Sequence, residues 1–197
     1  MTEARRVVVG ISGASGAIYG IRLLRQLADL PGVESHLVMS RAAMMTIAAE
    51  TDFTPAEVSA MADVTYTPAD VGATIASGSF VTHGMVVAPC SMRTLGAIAN
   101  SLADNLLTRA ADVTLKEGRP LVLMVRETPL HPGHLRLMAL AAEAGAVIAP
   151  PVPAFYHRPT TIEEIVDHSV SRALDRLGVA GTITRPWEGM RGGGSKG

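Results

Sequence analysis

Between residues 7 and 27 the chain passes from a continuous apolar run to a helical repeat. Val7, Val8 and Val9 are contiguous and β-branched, and the run ends at Gly10-Ile-Ser-Gly-Ala-Ser-Gly-Ala-Ile-Tyr-Gly20. From there Ile18, Ile21, Leu24 and Leu27 recur at helical spacing, with Arg22, Arg25 and Asp29 on the other side. The pattern predicts a strand, a tight glycine-rich loop and an amphipathic helix. The alternation then repeats. Residues 34–39 read as a strand and 40–50 as a helix capped by Ser40. Residues 84–88 read as a buried strand, 89–94 as a polar turn, and 95–100 and 104–116 as helices. The run 120–125 is continuous and apolar, as a central parallel strand should be. A helix over 131–144 and a short strand at 146–148 follow. Thr160-Thr161-Ile162-Glu163 has the form of a capping box and opens a helix with Ile162, Ile165, Val166, Val170, Ala173 and Leu177 on its apolar face. Residues 51–80 are less regular, apart from a helix start at Thr54-Pro55-Ala56-Glu57 and a loop at 76–79.

Alternating strands and helices predict an α/β fold, a three-layer doubly wound parallel sheet of Rossmann-like type. The pattern gives one domain over residues 1–180 and a glycine-rich polar tail over 181–197. Ligands of such sheets bind beyond the carboxyl ends of the strands. Four strand ends carry polar residues there: Ser12 to Ser15, Ser40, Ser91 to Thr94, and Arg126-Glu127.

Composition narrows the class. A net charge of −1 in 197 residues implies no polyanionic partner, so nucleic-acid binding is not expected. A single cysteine excludes an internal disulfide framework and fits a reducing compartment. The absence of a targeting pattern or a membrane-length apolar run makes cytoplasm the expected location. Hydrophobic residues make up 48% of the chain, although aromatics are only 4%. So much apolar side chain in a small domain points to surface covered by subunit contacts, hence a homo-oligomer.

Gly10, Gly13 and Gly16 read G-x-x-G-x-x-G. This is not the G-x-G-x-x-G dinucleotide fingerprint, and no lysine follows where a P-loop needs one. The N–H groups of the turn, with the hydroxyls of Ser12 and Ser15, suit an anion such as phosphate; the alternative is a βα turn that binds nothing. Arg126 and Glu127 stand where a buried strand leaves the core, a costly place for charges that are neither paired nor used. Glu50 ends a helix, where the dipole disfavours a carboxylate, and this hints at a role. Lys116, Tyr156 and Arg172 each have a plain reading as solvated or packing side chains. Cys90 reads as a buried inert thiol, and His131-x-x-His134 lacks a third ligand at metal spacing.

Several ordered blocks together resemble the flavin prenyltransferases, UbiX and its phenolic-acid-decarboxylase-associated relatives. They are the Gly10–Gly20 turn, Ser40, Glu50-Thr51-Asp52, Pro89-Cys-Ser-Met-Arg-Thr94, the segment from Ala103 to Glu117, Val125-Arg-Glu-Thr-Pro-Leu130, and Pro153-Ala-Phe-Tyr-His-Arg-Pro159. The likeness runs from about Arg6 to Leu177. It implies transfer of a dimethylallyl group from dimethylallyl monophosphate to N5 and C6 of reduced FMN. The prenylated FMN formed serves UbiD-type decarboxylases. It further implies a homododecamer and a route that needs no metal, in which cations and hydroxyls take up the phosphate's departing charge. By the resemblance, Gly13, Ala14, Ser15, Ser40, Ser91, Met92, Arg93, Thr94 and Arg126 hold FMN. Lys116, Arg126, Tyr156 and Arg172 hold the phosphate, with more than one subunit contributing. Ser15 and Glu127 handle protons and Glu50 sits near N5. Arg93 stands where many relatives have lysine, and Trp187 matches a tail tryptophan of the family. Three other readings are an FMN-dependent decarboxylase of the cysteine-decarboxylase group, an NADP-binding reductase using Ser40-Arg41, and a non-catalytic flavin carrier.

Overall fold

The computed structural model describes residues 4–179; the 181–197 tail and Trp187 lie outside them. In chain order the elements are β1 (Arg5–Ile11), α1 (Ala17–Ala28), β2 (Val33–Met39), α2 (Arg41–Glu50), α3 (Pro55–Ser59) and β3 (Val64–Tyr66). A short 3₁₀ turn at Thr74–Ala76 comes next. Then follow β4 (Gly84–Cys90), α4 (Met92–Ala99), α5 (Leu106–Lys116), β5 (Leu121–Val125), α6 (Pro132–Glu143), β6 (Val147–Ile148) and α7 (Ile162–Arg176). The strands form one sheet in the order β3-β2-β1-β4-β5-β6, every pair parallel. The direction of winding reverses between β1 and β4, so their carboxyl ends open the crevice where such sheets bind ligands.

Alternation along β1 divides the core in two. Val7, Val9 and Ile11 enter the face covered by α1 and α7, where they meet Leu23, Leu24, Leu27, Val170 and Leu174. Val8 enters the other face with Met85, Val87, Leu95, Leu107, Ala110 and Ala141 from β4, α4, α5 and α6. Each fully buried Leu or Ile contributes roughly 2 kcal/mol by leaving water. With few aromatic rings, the layers can approach closely. A Cβ at Gly20 would stand 2.5 Å from the Ala88 carbonyl oxygen, so α1 lies directly on the β4 backbone. Among the described residues no helix is long and apolar enough to cross a membrane.

The structure departs from the sequence pattern in four places. β4 runs on through Pro89 and Cys90, and α4 already begins at Met92, so the expected 89–94 turn shrinks to Ser91. Pro89 loses no ladder bond that matters there: its carbonyl accepts from Ser12 N (3.2 Å) and Ser12 Oγ (2.9 Å). β3 was not expected, being three residues on the sheet edge with little apolar signal. Thr74–Ala76 coils just where the expected loop begins. Finally, the box at α7 is set one residue later. Thr161 caps the helix by accepting from Glu164 N, and the Glu164 carboxylate accepts from Thr160 N. Ile162 is therefore turned out, 75% exposed, instead of joining the apolar face.

Candidate active site

Three helix N-termini border one cavity of about 340 Å³ at the carboxyl edge of the sheet. Each is capped by its own polar residue. Ser40 accepts from Ala43 N at 3.1 Å, Ser91 from Thr94 N at 3.2 Å, and Asn105 from Leu107 N and Thr108 N at 3.0 and 3.2 Å. In α2 and α4 the cap leaves the two earlier N–H groups of the first turn without an intrahelical acceptor, whereas in α5 Leu106 N donates to Pro68 O at 2.9 Å and the next two N–H groups to Asn105, so that α5 adds only the positive end of its dipole. Gly13 closes the floor. A Cβ there would stand 2.2 Å from Ala42 Cβ, so only glycine lets the β1–α1 loop approach α2 this closely. Gly13, Ser40, Ser91, Met92, Arg93, Thr94 and Glu127 all line this cavity. Arg93 is exposed there and lies 3.9 Å from Asp104. Arg41, expected only in the NADP-binding alternative, also lines it, as do Asn105 and Thr108, which were not anticipated. Asn105 carried a signal, an Asx residue just before an apolar helix, but the helix start was read two residues early, at 104 instead of 106.

The N-terminus of α1 is used differently. Glu50 Oε2 accepts from Gly16 N at 2.7 Å and Ala17 N at 3.2 Å. The expected anion at the glycine turn is thus a carboxylate of the chain itself, brought from the far end of α2. Burial alone would raise the Glu50 pKa, but hydrogen bonds from the Ser15 hydroxyl and the two N–H groups, with the Arg126 guanidinium, hold it below the usual carboxylate range. Ser12 is also committed inward, and half-buried Ala14 ties its N–H back to the turn. The Ser12 hydroxyl donates to Pro89 O and accepts from Ser91 N at 2.8 Å, and Ala14 N donates to Ser12 O at 2.9 Å. Ser12 therefore fastens the first βα turn to the second and is not open to a ligand.

Arg126 and Glu127, adjacent in sequence, serve different neighbourhoods. Arg126 N donates to Cys90 O at 3.0 Å, and its guanidinium acts on Glu50 and on Tyr19. Burial raises the Tyr19 pKa and Arg126 opposes the rise. Glu127 lies on the cavity with its carboxylate accepting Thr128 N at 3.0 Å. The fold therefore brings Ser15, Glu50 and Arg126 together at one side of the β1–β4 crevice.

Lys116, Tyr156 and Arg172 do not join them within one chain. Lys116 ends α5, whose start borders the cavity. Eleven residues of helix place it about 16 Å away, at the opposite edge of the sheet, where it pairs with Glu117. Tyr156 and Arg172 flank His168 beside α7: Tyr156 Oη lies 3.2 Å from His168 Nε2, and Arg172 pairs with Asp175 at 3.0 Å. Cys90 is fully buried, which pushes its thiol up to about 12, as an inert core thiol requires. His131 Nδ1 caps α6 by accepting from Gly133 N at 3.0 Å.

The family described as Flavoprotein matches residues 1–173. The flavin prenyltransferase UbiX of Escherichia coli (strain K12) is 61% identical over 175 residues, covering 89% of this chain and 93% of that protein. A crystal structure of AnUbiX (PadA1) in complex with FMN and dimethylallyl pyrophosphate is 49% identical, with a TM-score of 0.92 over 95% of this chain and 99% of that one. A dodecameric FMN-dependent UbiX-like decarboxylase from Escherichia coli O157:H7 is also 49% identical, with a TM-score of 0.91 over 93% of this chain and all of that one. A sheet of this order, a crevice built this way and identity sustained over nearly the whole length place the chain in the Flavoprotein family and, within it, among the UbiX flavin prenyltransferases.

Proposed function

We propose that this chain transfers the dimethylallyl group of dimethylallyl monophosphate to N5 and C6 of reduced FMN, giving prenylated FMN for a UbiD-type decarboxylase. The observation that carries the reading is the cavity bordered by the N-termini of α2, α4 and α5. The first-turn N–H groups of α2 and α4 and the Ser40 and Thr94 hydroxyls, with Ser91 giving its own hydrogen to Thr94 Oγ1 at 3.1 Å, are a donor set suited to the phosphate of a flavin. Gly13, Ala14, Ser15, Ser40, Ser91, Met92, Arg93, Thr94 and Arg126 would hold FMN, which supplies nucleophilic ring atoms once reduced. Glu50, ionised by its donors, sits beside Arg126 and Ser15, so this side of the crevice offers both a negative charge and a hydroxyl proton close together. Glu127, at the opposite wall, is the proton acceptor.

The phosphate end of the substrate meets Arg126, Tyr156, Arg172 and Lys116. Positive charge and hydroxyl donors there stabilise charge as it develops on the departing phosphate, so the reaction needs no metal ion. Since α5 carries Lys116 to the far edge and Tyr156 and Arg172 lie beside α7, the set closes around Arg126 where copies meet in a homododecamer. Exposed Val152, Phe155 and Ile162, beside Tyr156 and the start of α7, supply apolar surface for that contact.

The test is to incubate the assembled protein anaerobically with FMN, a chemical reductant and dimethylallyl monophosphate, then follow the flavin mass. A gain of one prenyl unit, lost in Glu127→Ala with FMN still bound, is expected. An unmodified flavin, with a peptidyl or pantothenoyl cysteine losing CO₂ instead, refutes the reading.

A further inference from the structure

His168 lies between two of the residues assigned to the phosphate, yet neither the sequence pattern nor the resemblance gives it a part. It stands on α7 one turn before Arg172. Its Nε2 is 3.2 Å from Tyr156 Oη and 2.9 Å from His157 Nε2. The Tyr156 and His157 rings are 4.0 Å apart and the two imidazoles 4.5 Å, so the three side chains form one packed cluster.

Hydrogen-bond inventory decides what such a cluster can do. A neutral ring nitrogen carries either one lone pair or one hydrogen. If His168 Nε2 accepts the phenolic hydrogen, Tyr156 turns only lone pairs outward and repels an anion. If Nε2–H donates, Oη and His157 Nε2 share that hydrogen, and the hydroxyl hydrogen of Tyr156 is left to point away from the cluster. Only the second arrangement suits a bound phosphate.

We propose that His168 is a positioning residue for Tyr156, donating from Nε2 to the phenolic oxygen so that the hydroxyl is aimed at the phosphate of the allylic substrate. The inference rests on the reading of Tyr156 as a phosphate ligand. The charges around the ring are consistent with it. Burial, His157 and Arg172 lower the His168 pKa and Asp175 opposes them. Glu164, one turn earlier, is engaged by Thr160, and on the α1 side Asp167 is closed by Arg22. At neutral pH His168 is therefore uncharged, and the proposed bond places its one ring hydrogen on Nε2. On acidification it becomes a charged donor, and charged donors make the stronger bonds.

The experiment uses assembled, FMN-loaded protein carrying His168→Phe, His168→Gln, Tyr156→Phe or both ring changes together. It reads KM for dimethylallyl monophosphate, kcat, and calorimetric affinity for inorganic phosphate from pH 5.5 to 8. His168→Phe, which cannot donate, should raise KM and the phosphate Kd about fivefold with a smaller change in kcat, the size of one ordinary hydrogen bond. His168→Gln, which keeps an N–H donor, should stay within about twofold of wild type but lose the extra affinity wild type gains on acidification. In the Tyr156→Phe background, His168→Phe should add nothing. Equal effects of His168→Phe in both backgrounds, or a glutamine no better than phenylalanine, overturn the inference while leaving Tyr156 as a ligand. If Tyr156→Phe alone leaves KM and phosphate affinity unchanged, both the inference and the reading of Tyr156 fall.

Discussion

Gly13 is the point where the first βα loop meets α2, and Gly13→Ala isolates that contact. The added Cβ would lie 2.2 Å from Ala42 Cβ and 3.1 Å from the Ala42 carbonyl carbon. Carbon atoms at rest stand about 3.5–4 Å apart, so more than about 1 Å must open. Ala42 has no rotamer to change, and relief must come from moving the loop or the start of α2. Overpacking of this kind costs about 1–3 kcal/mol. In a domain of this size each kcal/mol moves Tm by about 2–4 °C, so Gly13→Ala should lower Tm by roughly 2–12 °C. Both elements border the cavity, and losing one charge-assisted hydrogen bond to the flavin phosphate should weaken FMN about tenfold or more.

The partner change is Ala42→Gly, which removes the atom in the way. Alone it costs up to about 1 kcal/mol in helix propensity. Combined with Gly13→Ala it should recover most of the lost Tm and FMN affinity, leaving only the Ala42 backbone contacts at 3.1 and 3.2 Å. Thermal unfolding of the flavin-free protein and fluorescence titration with FMN read the two effects. Simple additivity of the two substitutions would mean that residues 13 and 42 do not press on each other, and would refute the packing argument.

Two titrations follow from the same structure. Glu50→Gln should lower Tm at pH 7 by about 2–4 °C, since a carboxylate at a helix N-terminus is worth up to about 1 kcal/mol. Because the folded Glu50 pKa is lowered, that contribution is full above the ordinary carboxylate range and disappears as pH falls through the folded value, so the two proteins should converge once pH is below it. A gap that persists there would exclude ionisation as its source. His36 is 2% exposed, with Nδ1 2.9 Å from Tyr66 Oη and Nε2 3.3 Å from Glu34. Burial and Arg6 lower its pKa against Glu34 and Asp63. Stability from the neutral ring is therefore complete above the unfolded value near 6.5 and declines below it, by at most about 1.4 kcal/mol per pH unit. His36→Phe should flatten the denaturant-melt profile between pH 7 and 5, and an unchanged slope would place that dependence on other groups.

The elements legible in the sequence are those whose signal is local. β1, β4 and β5 are continuous apolar runs because parallel strands are covered on both faces. Ser40, Thr54 and Ser91 announce helix starts because their hydroxyls cap the nearest turn. β3 escaped notice because an edge strand of three residues, two of them half-buried, needs little apolar side chain. At α7 the sequence offers Thr160 with Glu163 and Thr161 with Glu164 at the same spacing. Only the path of the chain into the helix selects the second, and that choice turns Ile162 from core to surface.

The site was legible in composition more than in arrangement, and Glu50 shows why. The glycine turn was expected to hold a ligand anion such as phosphate, but a loop read alone cannot reveal that a carboxylate 34 residues away already fills it. That contact divides the crevice by charge. With α1's N–H groups given to Glu50 and those of α5 to Pro68 and Asn105, the first turns open to an exogenous phosphate are those of α2 and α4, and these border the cavity. The negative Glu50 and the positive Arg126 then stand on the α1 side, away from those N-termini. Two anionic groups, the flavin phosphate and the substrate phosphate, can thus be held apart. In the proposed reading, one is met by backbone dipoles that carry no proton and the other by side chains, among them Tyr156, whose hydroxyl hydrogen can reorient. Lys116 at the far edge belongs to the second set only if another copy presents it, and the two-phosphate division therefore requires assembly where the cavity alone does not. Monomeric protein, if dilution yields it, should keep FMN affinity and lose transfer. Full transfer by such a monomer would remove Lys116 from the substrate site.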